Sequence, residues 1–210
     1  QVLRVHLGMT GKLLFDSAQA THPRATLSLR GGEADVLVFD DARQFGRFEL
    51  IDGPDVLALG PEPLEIPLAD FLTALRERRS AVKAVLLNQE FLRGMGNIYT
   101  DEALFQAGIH PLTPACRVRP RQATALHQAM RDLLLEAIAA GGSSISNYAD
   151  AEGRRGAFQE RHQVYGREGK PCPRCGAAIR RIVVGQRGTH FCDRCQPQTA
   201  GARTPALRTK

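Results

Sequence analysis

Hydrophobic and polar positions change their rhythm about a third of the way along the chain. Up to residue 60 the apolar residues come in short alternating runs. Val2-Leu3-Arg4-Val5-His6-Leu7 opens the series, and Lys12–Phe15, Thr26–Leu29, Val36–Phe39 and Phe45–Ile51 continue it. Gly8, Gly11, Gly31-Gly32, Gly46 and Gly53-Pro54 punctuate these runs, so each reads as a strand bounded by turns. "GPEPLEIP" (Gly60–Pro67) suits neither a helix nor a central strand and reads as a connector. Helical spacing follows. One helix is expected from Asp70, with Leu68 and Ala69 leading in. Ser80 is placed to cap a second, whose apolar face is Val82, Val85, Leu86 and Phe91. A glycine turn at Gly94–Gly96 leads into a third from about Ile98 to near Gly108. The longest runs from Arg121 to Ala140, with Leu126, Met130, Leu133, Leu134, Ala137 and Ile138 on one stripe and Gly141-Gly142 as its stop. The polar, glycine-containing stretch Ser146–Arg161 is too long for a plain connection and reads as a functional loop.

Near the C-terminus the hydrophobic pattern gives way to cysteine chemistry. "CPRCGAAIRRIVVGQRGTHFCDRC" (Cys172–Cys195) holds two C-x-x-C pairs separated by sixteen residues. That spacing suits one tetrahedral Zn²⁺ with Cys172, Cys175, Cys192 and Cys195 as ligands. Two disulfides or four free thiols are the alternatives. A segment with so little apolar material needs a staple, which favours the metal. Ile179–Val184 is β-prone, Gly185–Gly188 reads as a turn, and Thr189 starts the return strand. Arg187 is thereby placed on the tip of a metal-closed hairpin. Four cysteines leave no open coordination position, so the zinc reads as structural. The fifth, Cys116, has no evident partner and reads as a buried or bystander thiol.

Composition then narrows the partners. The chain of 210 residues is 43% hydrophobic, enough for a sizeable core, and no apolar run reaches the length of a membrane span. The net charge is +6 and the sequence pI is near 9.4. From Arg154 to Arg194 there are ten Lys/Arg against three Asp/Glu, a surplus of seven that falls to five once a doubly negative Zn(Cys)₄ centre is counted. A basic surface on a rigid, metal-pinned element points to phosphate; a merely solvated basic face is the alternative.

"HLGMTG" (His6–Gly11), "DARQFGRFEL" (Asp41–Leu50), "LGPEPL" (Leu59–Leu64), "GMGNIYTDEALFQAGIHP" (Gly94–Pro111) and "QVYGREGKPCPRCG…GQRGTHFCDRCQ" occur in this order. Together they resemble the formamidopyrimidine-DNA glycosylases, of the family that includes endonuclease VIII. The likeness covers nearly all of residues 1–196. "QVYGREGKPCPRCG" favours the formamidopyrimidine branch. The resemblance implies an α+β chain: a partial N-terminal β-sandwich over residues 1–64, a helix–two-turn–helix DNA-binding domain with a lesion loop over 65–158, a zinc-finger β-hairpin over 159–196, and a disordered tail over 197–210. It implies a cytoplasmic bacterial enzyme, monomeric, acting on double-stranded damaged DNA with no membrane partner. Such enzymes excise oxidised purines and cut the abasic strand by β,δ-elimination.

Residue by residue, the resemblance makes Met9, Arg43 and Phe45 the side chains that fill the gap left by an extruded base. The local sequence agrees, because Met9 stands in a glycine turn and Phe45 in a polar loop, where core residues are unexpected, and apolar wedges unstack base steps. His22, Arg78, Lys83 and Asn97 match DNA contacts. For Arg78 and Lys83 an exposed helix-face charge is the alternative. Asn97 is also placed to cap a helix. Tyr148, Arg154 and Arg155 are loop candidates. Arg187 matches the catalytic arginine that supports δ-elimination; permanently charged, it is expected to act electrostatically rather than as a proton donor. Gln44 stands where the family has a second arginine, and Ala42 where it has proline. The larger departure is at the start. The family's nucleophile is an N-terminal proline followed by glutamate, with a lysine upstream of the "HLGMTG" strand, and these 210 residues begin past all three. The chain is therefore expected to be a fragment of the full enzyme and inactive as it stands. A non-catalytic damaged-DNA-binding protein of the same fold is the alternative.

Overall fold

The computed structural model describes residues 1–15, 17–31, 34–53, 58–144, 151–152 and 154–198. Contacts divide the chain into two compact units, one of residues 1–58 and 137–161, the other of 59–136 and 162–210.

In the first unit the alternating runs form two antiparallel sheets. β1 (Val2–His6) pairs with β5 (Arg47–Ile51), from Val2 opposite Ile51 to His6 opposite Arg47. β4 (Val36–Asp40) lies between β2 (Lys12–Leu14) and β3 (Pro23–Ser28). β4 is the buried strand of its sheet, with Val38 and Phe39 in the core. Phe39 meets Phe48 of β5 edge to face at 4.9 Å, which joins the two sheets. β3 starts earlier than alternation predicts, on Pro23, and its pairing with β4 slips between Pro23 and Ala25; proline is tolerated at a strand's first residue because it has no N–H to give the ladder. β5 starts later, at Arg47, because Gln44 is left-handed (φ 58°) and cannot extend a strand. Phe45 therefore stands in a loop.

The second unit is helical with a β-hairpin. α1 (Leu68–Arg76) buries Phe71 and Leu75. α2 (Val82–Leu86) is shorter than expected, and Ser80 does not cap it. Its cap is Ala81, which makes no side-chain bond. The Val82 N–H donates to the Thr113 carbonyl (2.8 Å) and the Lys83 N–H to the Pro111 carbonyl (3.3 Å), so a neighbouring loop satisfies the first turn. α3 (Asn97–Gln106) ends in a Schellman motif: the Ile109 N–H donates to the Leu104 carbonyl (2.9 Å) and the Gly108 N–H to that of Phe105 (3.1 Å), with Gly108 at φ 64°. α4 (Pro120–Ala139) begins on proline, whose missing N–H costs nothing at a first helical position. Its buried stripe is Ala123, Leu126, Met130, Leu133 and Ala137. Ile138, expected on that stripe, is 66% exposed, while His127 is buried with its ring nitrogen 2.9 Å from the Ile66 carbonyl. No helix among the described residues is long and apolar enough to cross a membrane. β6 (Arg180–Val184) and β7 (Arg187–Phe191) complete the unit as the hairpin.

Candidate nucleic-acid interface and metal centre

In the first unit two turns come together. Gly8 is left-handed (φ 64°), and a Cβ there would stand 3.1 Å from the Phe45 backbone carbon, so the Met9 turn packs directly on the Phe45 loop. Met9 is 76% exposed and Phe45 59% exposed. Large apolar side chains so displayed on adjacent turns are not core residues. The Arg43 guanidinium lies over the Phe45 ring, 5.2 Å from its centre. Beneath them Asp41 is fully buried. Its carboxylate accepts from the Thr10 hydroxyl (2.5 Å), the Gly46 N–H (2.9 Å) and the Arg43 N–H (3.3 Å). The Thr10 bond first, then that of Gly46, holds the Asp41 carboxyl below its ordinary value of 3.8. A lowered acid pKa means that this support is in place at neutral pH and is lost as pH falls through the lowered value. His22 is exposed; its carbonyl accepts from the Asp41 N–H (3.0 Å), and its own N–H donates to the Asp40 carboxylate.

In the second unit the four cysteine sulfurs all lie within 4.8 Å of one another. Cys172 and Cys195 are separated by 3.8 Å, Cys175 and Cys192 by 3.5 Å. A tetrahedron of Zn–S bonds has S···S edges of about 3.8 Å, so the cluster has the size of one structural zinc site. Each pair sits on its own knuckle. Gly176, left-handed at φ 73°, lets its N–H reach the Cys172 carbonyl (2.9 Å). Gln196 closes the other: its N–H donates to the Cys192 carbonyl (2.8 Å), its side-chain oxygen accepts from the Cys192 N–H (2.9 Å), and its side-chain nitrogen donates to the Ile109 carbonyl (2.8 Å). Arg174 caps the end of α3, donating to the carbonyls of Phe105 (3.0 Å) and Gln106 (3.3 Å).

The hairpin turn is tighter than the sequence suggests. Val184 pairs with Arg187, which leaves Gly185 and Gln186 as a two-residue turn, both left-handed (φ 55° and 62°). Both residues at positive φ is the signature of a type I′ turn. Arg187 is therefore the first residue of β7, exposed, and not the tip itself. Its strand is locked from behind. The Gly188 carbonyl accepts from Asn97 Nδ2 (2.9 Å) and Lys83 Nζ (3.2 Å), and Asp101 accepts from the His190 N–H (2.8 Å).

That network corrects two expectations. Lys83 was expected at a phosphate, but its side chain is 0% exposed and its ammonium is paired with Asp101 at 2.6 Å. Burial lowers the Lys83 pKa and the Asp101 charge pulls it back up, so the ion pair is what allows a cation there. Asn97 does not cap α3. Gly96 holds that position, and Asn97 is the first helical residue, aimed at the hairpin. Its Oδ1 is buried and accepts no bond. Arg78 is exposed, stacked over Phe91 at 5.9 Å. Cys116 is exposed, which leaves the bystander reading and not the buried one. Arg154 and Arg155 are exposed, Arg154 beside Glu152 at 2.9 Å; Tyr148 lies outside the described residues, as do residues 199–210 of the tail. Asp41, Asp101, Gln196 and Glu102 were not singled out by the sequence. Glu102 accepts three N–H bonds, from Gln163, Val164 and Tyr165 (2.8–2.9 Å), and holds the turn that leads into the zinc segment; burial pushes its carboxyl up against the pull of those donors.

The chain matches three family models: "Formamidopyrimidine-DNA glycosylase N-terminal domain" over residues 1–48, "Formamidopyrimidine-DNA glycosylase H2TH domain" over 59–149, and "Zinc finger found in FPG and IleRS" over 169–198. It is 52% identical over 196 residues to a formamidopyrimidine-DNA glycosylase of Solibacter usitatus, an alignment that covers 92% of this chain and 73% of that protein. Among solved structures, the MutM (Fpg) protein from Thermus thermophilus superposes with a TM-score of 0.82 at 43% identity, over 94% of this chain and 76% of that one. The Lactococcus lactis Fpg in complex with abasic-site DNA gives 0.81 at 37% identity, over 93% and 75%. With all three domain signatures in order and a relative half-identical over most of both lengths, the chain belongs to the formamidopyrimidine-DNA glycosylase family.

Proposed function

We propose that this chain recognises oxidised purines in double-stranded DNA, as a monomer, and is the greater part of a glycosylase and abasic-site lyase that removes 8-oxoguanine and formamidopyrimidines and cuts the strand by β,δ-elimination. The observation that carries the reading is the exposed Met9–Arg43–Phe45 group on its buried carboxylate. A base taken out of the duplex leaves an unstacked gap, and an apolar wedge with a cationic partner suits that gap next to phosphates. Solved relatives with abasic-site DNA and with carbocyclic 8-oxo-G DNA support the substrate class.

The division of labour follows from side-chain chemistry. Met9 and Phe45 stack in the gap, and Arg43 offers donors to the orphaned base. Arg78 and Asn97 offer donors to phosphates, which fix register without reading sequence. Zinc supplies rigidity to β6 and β7. Arg187, fixed by that hairpin, stabilises the phosphate that leaves in the δ step by charge alone, since a guanidinium does not give up its proton. Base release needs an amine of lowered pKa that attacks the sugar C1′ as the glycosidic bond breaks. The family's terminal proline supplies it, and these 210 residues do not include it.

The test compares the 210-residue chain with the same chain preceded by the N-terminal segment of the Solibacter relative, both incubated with an 8-oxoguanine duplex and borohydride. Covalent trapping and strand cleavage are expected only from the extended form, with Arg187→Ala shifting its products from δ to β. Equal trapping by the short form would place the nucleophile within residues 1–210 and overturn this mechanism. An extended form that binds lesions but never cleaves would favour a non-catalytic damaged-DNA binder.

A further inference from the structure

We infer that Asp41 is the positioning residue of the wedge: one buried carboxylate sets the turns that carry Met9, Arg43 and Phe45, and so decides whether the gap-filling side chains are presented to DNA. The inference rests on the reading of those three residues as a wedge.

Its basis is convergence. The wedge comes from two turns separated by more than thirty residues, and neither Met9 nor Phe45 is anchored in a core, both being displayed to solvent with the Phe45 ring against the Arg43 guanidinium of its own loop. What links the turns is Asp41. One oxygen takes the hydroxyl of Thr10, the residue after Met9, and also the N–H of Arg43; the other takes the N–H of Gly46, the residue after Phe45. The backbone of Asp41 extends the same control. Its N–H donates to the His22 carbonyl, and its carbonyl accepts from Arg24 Nε (2.8 Å). Between Arg43 and Gly46 lies Gln44 at φ 58°, a conformation a non-glycine side chain adopts at a cost of roughly 1 kcal/mol. A strained loop of exposed residues holds one shape only if something fixes both its ends, and the Asp41 carboxylate does so. Acceptance of all three donors needs two oxygens with no hydrogen between them. An asparagine would turn an NH₂ toward either Thr10 or the Gly46 N–H, so Asp41→Asn keeps the volume of the side chain and breaks the bridge.

The experiment uses the 210-residue chain and a duplex with a tetrahydrofuran abasic analogue opposite 2-aminopurine, whose fluorescence rises when it unstacks. Wild type, Phe45→Ala, Asp41→Asn and Thr10→Val are compared at saturating protein. Phe45→Ala is expected to abolish the rise. Asp41→Asn is expected to reduce it about tenfold, the population shift that follows loss of a hydrogen bond to an ionised carboxylate, with every wedge side chain still present. Thr10→Val, which removes one donor and leaves the buried carboxylate, is expected to give an intermediate loss and decides the matter if Asp41→Asn does not fold. A full rise from Asp41→Asn or Thr10→Val, with none from Phe45→Ala, would overturn this inference and leave the wedge standing. A full rise from Phe45→Ala would overturn the wedge reading and this inference with it.

Discussion

Removal of zinc unfolds residues 169–198 and takes Arg187 out of register. The apolar material that could hold this segment without metal is small: Val164, Cys172, Ile179 and Cys192 packed on Phe105, two of those five being metal ligands, with Val184 and Phe191 buried on the hairpin. Structural zinc sites in isolated fingers contribute about 10–16 kcal/mol of apparent binding energy, and most of that is folding energy. The helical part of the unit has its own core of Phe71, Leu75, Leu86, Leu92, Leu104 and Leu126 and does not depend on the metal. Chelation or Cys172→Ser is therefore expected to strip hydrogen-exchange protection from β6 and β7 while α1 and α4 stay protected. Affinity for lesion DNA should fall by at least an order of magnitude, since the binding-competent hairpin is then a minor population. Protein prepared without chelator should carry one zinc per chain by elemental analysis. Full protection of β6 and β7 in metal-free protein would show that the hairpin folds without zinc.

Lys83→Met should be the most damaging single substitution away from the cysteines. It leaves the buried Asp101 carboxylate without its ammonium, with only the His190 N–H and the His190 ring 3.4 Å away beside it, and breaking a buried pair in this way costs about 3–5 kcal/mol, a large fraction of a domain's stability. It also removes one of the two side-chain donors to the Gly188 carbonyl behind Arg187. The double variant Lys83→Met/Asp101→Asn should recover part of the loss, because the stranded charge is gone while an amide oxygen can still accept from the His190 N–H. Urea midpoints of wild type, Lys83→Met, Asp101→Asn and the double variant give the coupling directly. If Lys83→Met costs less than about 1 kcal/mol, the ammonium is solvated rather than buried, and its reading as a surface phosphate contact returns.

The parts of the fold that were legible in the sequence share one property: their cause is local. Two C-x-x-C pairs, glycines at helix ends and the stripe of α4 each operate within a few residues, and Gly108 and Gly141 end their helices by the geometry their positions imply. The exposure of Met9 and Phe45 was legible too, because they are apolar residues in settings that cannot bury them. What the sequence hid was the means of support. Asp41 is bonded to Thr10 thirty-one positions away, Lys83 to Gly188 one hundred and five away, Gln196 to Ile109 eighty-seven away and Glu102 to Val164 sixty-two away. No local pattern carries such pairings. One signal was present and unread: Asp101-Glu102 stands in the middle of α3, where the flanking Thr100, Ala103, Leu104 and Phe105 are all buried. Two acids inside a helix with no polar face must find partners elsewhere, and they hold the two ends of the zinc segment. Lys83 is misleading in sequence for the complementary reason. A lysine after a helix start looks solvent-facing until its acid is known.

Recognition of damaged DNA is decided by affinity for a duplex containing a tetrahydrofuran abasic analogue, measured beside an undamaged duplex of the same sequence from about 50 to 200 mM salt. Tighter binding to the lesion duplex is expected, a preference that Phe45→Ala removes. A loss of roughly tenfold across that salt range is also expected, since Arg78 and Arg187 neutralise about two phosphates. Equal affinity for the two duplexes, or affinity that does not change with salt, would contradict this reading.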